Sequence, residues 1–86
     1  MNNLKKIAEE YGLEGAIVFT DPEFDEAVIG FDVVQSRFIY DYDRMVEILA
    51  EHDGISLEDA IDFIEYNTIR ACAYMENPPV ILKRIE

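Results

Sequence analysis

An α+β domain is predicted by three observations on this chain of 86 residues. One long helical stripe fills residues 56–75, short runs of strand formers cluster before and after it, and those runs are not interleaved one-for-one with helices. The predicted order is α-β-β-β-α-α-β over a single domain, residues 1–86, with an antiparallel sheet of three to four strands covered on one face by a helical hairpin. The long stripe runs Leu57, Ala60, Ile61, Ile64, Thr68, Ala71, Cys72, Met75, in steps of three and four that keep one face toward a core. Ser56 is a favourable N-cap, and Asp59, three residues on, completes an acidic variant of the capping box. Pro78 and Pro79 must end the helix.

The remaining elements follow in chain order. Residues 3–11 carry Leu4, Ile7, Ala8 and Tyr11 on one helical face, with Gly12 as the stop. Lys5 and Lys6 near its start and Glu9 and Glu10 near its end oppose the helix dipole, so packing must hold it. Residues 16–20, Ala-Ile-Val-Phe-Thr, are rich in strand formers, and Pro22 suits the second position of a turn. Strands are expected again at 27–31 and 37–40. Val33 and Val34 between them lack ordinary turn chemistry, and the economical reading extends the strands through them. The sharper reading makes them an exposed apolar contact. From Asp41 or Asp43 as N-cap a second helix presents Met45, Val46, Ile48, Leu49 and His52 inward, and Gly54 closes it. Residues 80–85 read as a closing strand, at an edge or beside the first. Ile17, Phe19, Val28, Phe38 and Tyr40 are the candidate sheet residues beneath the helices.

Charge narrows the function classes. The net charge is −12, and residues 21–65, with fourteen acidic residues against Arg37 and Arg44, carry the whole excess. Direct binding to nucleic acid or to an anionic membrane surface is disfavoured, because both need a basic face. A protein partner with a basic surface is permitted. No apolar run approaches the length that crosses a bilayer, and no signal peptide is expected, so the reading is cytoplasmic. The single cysteine, Cys72, excludes an internal disulfide and reads as a small core residue.

Asp21, Glu23, Asp25 and Asp32 occupy positions 1, 3, 5 and 12 of a calcium-loop template, but Glu26 stands where the sharp turn requires Gly. No metal or other cofactor is expected. With one His, scattered glycines and no nucleophile–base pair, no catalytic residue is assigned. Tyr66, Arg70 and Tyr74 follow i, i+4 spacing and form either a binding patch or a core rim, with Arg70 paired to Asp62, Glu65 or Asp43. Asn67, a weak helix former in mid-helix, is expected to reach a backbone group of the hairpin. The partner-facing set is Asp41, Asp43, Glu47, Glu51, Glu58, Asp62, Glu65, Tyr66, Arg70 and Tyr74.

The segments Tyr40-Asp41-Tyr42-Asp43 and Ile64-Glu65-Tyr66-Asn67-Thr68-Ile69-Arg70-Ala71 also carry a resemblance. Over residues 27–82 the chain resembles a group of small uncharacterised proteins from phages and prophages of Gram-positive bacteria. It departs from them at Cys72 and Ala73, where similar chains have a Leu-Pro-type bend. The resemblance implies a phage or prophage origin and no particular activity. Together with the charge it implies a non-enzymatic protein that binds a host nucleic-acid-binding defence factor, of the anti-CRISPR or DNA-mimic type. The alternative is a structural or assembly accessory, oligomeric through a strand edge.

Overall fold

The computed structural model describes residues 3–13, 16–20 and 23–85. The first helix, α1 (Asn3–Tyr11), ends as its sequence requires. Gly12 adopts φ 72°, and the Leu13 N–H returns to the Ala8 carbonyl at 2.7 Å. This 6→1 closure buries Leu13 with Leu4. Tyr11 stays largely exposed, its ring 5.2 Å from that of Phe31.

Residues 16–20 form no strand, contrary to their composition; their one pairing is an isolated bridge from Thr20 to Glu23. Side-chain packing took precedence over ladder formation. The Phe19 ring lies 4.9 Å from Tyr40 and 6.1 Å from Phe24, and its N–H donates to the Tyr40 hydroxyl at 3.2 Å. The segment covers the core from outside the sheet. A 3-10 turn (Asp25–Ala27) then leads into β1 (Val28–Asp32), which pairs antiparallel with β2 (Arg37–Asp41) through an irregularity between Val28 and Gly30.

The strands do not extend through Val33 and Val34. Asp32 Oδ1 accepts from the N–H groups of Val34 and Gln35, and the Ser36 N–H closes on the Asp32 carbonyl at 2.8 Å. Asp32 thus supplies the turn chemistry that the valines lack. Ser36 takes the left-handed φ of 56°, and the valines are 80% and 85% exposed.

The third strand, β3 (Val80–Leu82), lies beside β2 and parallel to it, giving a mixed sheet in the order β1-β2-β3. The antiparallel expectation fails here for a local reason. Arg37 Nη1 donates to the Pro78 carbonyl at 3.5 Å, and Asn77 Nδ2 to the Gln35 carbonyl at 3.3 Å. These contacts hold the chain at the turn end of the β-hairpin, so β3 enters at the start of β2 and runs with it.

The helical hairpin forms the intervening crossover. Asp41 Oδ1 caps α2 (Tyr42–Asp53) by accepting from the Asp43 N–H, and Gly54 ends it in the left-handed region. Ser56 Oγ caps α3 (Leu57–Phe63) by accepting from the Asp59 N–H at 3.0 Å. The helix continues unbroken as a π segment (Ile64–Ile69) and a last α-turn, α4 (Arg70–Cys72). Met45, Val46 and Leu49 from α2 meet Ala60 and Ile64 over Phe38 and Tyr40, with Phe24 and Ala27 closing one side.

Two inward assignments are corrected. His52 is exposed and bonds its neighbour Asp53 at 2.7 Å. The long stripe is rotated: Ala60, Ile64 and Thr68 are buried, whereas Leu57 is 58% and Ile61 38% exposed and Ala71 is exposed. The small Ala60 permits close approach to α2 and sets which arc of α3 faces inward. The wider π turn then keeps positions four apart, Ile64 and Thr68, in line.

Ile64→Ala should cost about 2–5 kcal/mol in chemical denaturation, as a cavity in the core, and Ile61→Ala less than about 1 kcal/mol. Ser36→Gly should raise stability by about 0.5–1 kcal/mol, because glycine accepts the left-handed turn without Cβ strain.

Candidate functional site

The acidic residues divide into two groups once their partners are traced. Near the sheet they are paired: Asp41 with Arg84 at 3.2 Å, Asp43 with Lys83 at 2.6 Å and Asp32 with Arg37 at 3.2 Å. Arg44 bridges Glu26 at 3.3 Å and Glu47 at 3.2 Å. Asp41 is half-buried, its carboxylate serving as both helix cap and Arg84 partner. On the helical hairpin the opposite holds. Glu51, Glu58, Asp59, Asp62 and Glu65 are exposed, and among the described residues none has a cationic partner within 4 Å. Leu57 and Ile61 are exposed among them.

Tyr66, Arg70 and Tyr74 are all exposed. Arg70 makes none of the expected ion pairs with Asp43, Asp62 or Glu65, and lies over neither tyrosine ring, among the described residues. The trio shares a helix without forming a contact cluster. Asn67 reaches a backbone group of its own helix, donating from Nδ2 to the Phe63 carbonyl at 3.1 Å. That carbonyl sits at the entry to the π segment, where the α-helical bonding pattern is interrupted.

The sequence reading missed a cleft of about 480 Å³. One wall comprises Glu65 and Ile69 of the π segment and Cys72 of α4; the other comprises Pro79, Ile81 and Lys83 along β3. Residues 79, 81 and 83 alternate, so a strand places them on one face. Tyr42, the first residue of α2, closes the end and donates its hydroxyl to Glu65 Oε2 at 2.9 Å. Lys83 Nζ stands 5.6 Å from the Tyr42 ring centroid. The alternation of 79, 81 and 83 and the i, i+4, i+7 spacing of 65, 69 and 72 were each legible; that the two faces meet was not, because it depends on where β3 lies.

Burial pushes the Tyr42 hydroxyl up to about 12, with the Glu65 bond and the nearby Glu65 and Asp43 charges adding to it. Burial likewise raises the Cys72 thiol, which keeps it protonated near neutrality. Cys72 is half-buried in the cleft wall, where the sequence reading placed it in the core.

The calcium-loop carboxylates separate. Asp32 is committed to its turn and to Arg37, while Asp25 is half-buried, with burial and then Glu23 raising its carboxyl. Asp21 lies outside the described residues. Among the described residues no three His, Cys, Asp or Glu side chains are placed to share a metal ion, and no helix is long and apolar enough to cross a membrane. Compared with protein families, curated proteins and solved structures, the chain matches none.

The Tyr42 phenol gives a pH prediction. Its folded value lies above the ordinary value of 10.0, so the unfolded chain loses this proton first as pH rises. Its contribution is therefore complete below pH 10 and is lost as pH climbs toward 12. Spectrophotometric titration should show a late phenolate step that Tyr42→Phe removes, and Tyr42→Phe should flatten the fall in stability across that window.

Proposed function

We propose that this protein acts without catalysis, by binding the basic surface of another protein through the outer face of its helical hairpin. The observation that supports the reading is the set Glu51, Glu58, Asp59 and Asp62, exposed and without cationic partners among the described residues, surrounding exposed Leu57 and Ile61. Like charges held together on one face destabilise the isolated fold, and a basic partner relieves them. Apolar side chains within a charged rim match the anatomy of protein-binding patches. A groove that ordinarily takes nucleic-acid phosphates is the surface best suited to such a row, and its engagement weakens with salt. In that form the protein is a phage or prophage inhibitor of a nucleic-acid-binding defence factor, acting in the cytoplasm of a bacterial host. Glu47 and Asp43 flank the row at its paired end.

A second reading rests on Val33 and Val34, which stand exposed at the tip of the β-hairpin. An assembly accessory would use that tip to join copies or neighbours. Sedimentation over a range of concentrations separates the two: the binding reading expects no association driven by the valine tip, and Val33→Ser with Val34→Ser abolishes it under the accessory reading.

The main reading predicts a specific loss. Glu51→Gln, Glu58→Gln and Asp62→Asn together should leave the fold as stable as before or more so, while affinity capture of basic proteins from the native host weakens and loses its dependence on salt. Capture that survives the triple change at every salt concentration would show the acidic face to be a solvated surface alone.

A further inference from the structure

We propose that the cleft between the π segment and β3 seats an apolar side chain of a short extended partner segment, whose flanking Lys or Arg is met by Glu65. The inference rests on the binding reading above and names a second anchor beside the exposed Leu57 and Ile61 of the charged face.

The walls decide the occupant's body. Ile69, Pro79 and Ile81 make them mainly apolar, and a volume of about 480 Å³ falls in the range of small-ligand and side-chain pockets. Its rim decides the flank. Glu65 is exposed at the mouth, bonded to a neutral phenol and to no cation among the described residues. Lys83, the cation at the cleft, is already held by Asp43 at 2.6 Å, so its charge is largely answered. A positively charged flank is therefore favoured and a negatively charged one is not, as it is for a chain of net charge −12. The strand beside the cleft decides the conformation. β3 is an edge strand of the sheet, and an extended segment can follow such an edge while setting alternate side chains to one side. A second copy of this chain is a poor occupant, because two strongly acidic surfaces would be brought together. Among the described residues, the π segment supplies two side chains to this cleft, Glu65 and Ile69, and π turns recur at functional positions.

The test uses the intact protein, isotopically labelled, with two blocked pentapeptides as probes: Arg-Leu-Val-Leu-Arg and its counterpart Glu-Leu-Val-Leu-Glu. The Arg peptide should give saturable amide shifts at Ile69, Cys72 and the Val80–Leu82 strand, and the Glu peptide should bind at least about tenfold more weakly. Cys72, the single cysteine, gives a second readout: the bound Arg peptide should slow its alkylation by a maleimide. Glu65→Gln, which changes this wall residue's charge while keeping its size and an oxygen to accept from the Tyr42 hydroxyl, should weaken the Arg peptide several-fold and leave the Glu peptide unchanged or slightly tighter. Equal binding of the two peptides would overturn the assigned flank. Arg-peptide shifts confined to the face bearing Glu51, Glu58 and Asp62 would overturn the cleft and leave the hairpin reading standing. Absence of saturable shifts at about 1 mM of either peptide would overturn the cleft as an anchor, whether or not the triple hairpin variant loses its basic partner.

Discussion

Tyr40 is the side chain on which the arrangement depends. It sits fully buried on the central strand, paired on one side to Val28 and on the other to Ile81, so both neighbouring strands register against it. A phenol this deep needs a partner for its oxygen, and the Phe19 N–H provides one at 3.2 Å. That bond brings residues 16–20 onto the core, where their backbone forms no ladder. It also fixes which face of β2 turns inward, and Phe38, two residues earlier, follows by alternation. The helices then cover that face.

What the sequence made legible was local. Asp41, Gly54, Ser56 and Gly12 each begin or end a helix through hydrogen bonds or backbone angles that a few neighbouring residues determine. The α+β class followed from the order of such elements. The parts that were not legible depend on contacts between distant residues. Whether residues 16–20 pair as a strand turns on Tyr40, about twenty positions away. The direction of β3 turns on Arg37 reaching Pro78 and Asn77 reaching Gln35. The exposure of Leu57 and Ile61 turns on Ala60 lying against α2, and helical periodicity alone gives several arcs of comparable apolar content.

Charge shows the same division. By composition the acidic excess covers residues 21–65 as one field, but the fold returns Lys83 and Arg84 to the start of α2 and neutralises Asp43 and Asp41 there. Arg44 answers Glu26 and Glu47 farther along the same helix. Apart from the half-buried Asp41, the partners in those pairs are largely exposed, and such pairs each add little to stability. Their larger consequence is spatial. With the sheet end compensated, the remaining field is concentrated on the hairpin, where Glu51, Glu58, Asp59, Asp62 and Glu65 have no cationic partner within 4 Å among the described residues.

Glu65 lies where this field meets the cleft. It is the hairpin carboxylate that belongs to the π segment and also lines the hollow. An uninterrupted α-helix would carry the chain on at a uniform pitch; the π turn widens it locally, and Glu65 and Ile69 of this widened turn line the cleft beside β3. That irregularity shifts the pattern of helical hydrogen bonds, and at its entry Asn67 donates to the Phe63 carbonyl. An asparagine in mid-helix, unfavourable by propensity, is then explained by the irregularity it serves. The same residue supports the helix and, through it, the placement of Glu65 beside Tyr42. The charged face and the apolar cleft are therefore coupled through one turn of backbone, and a change at Asn67 acts on both.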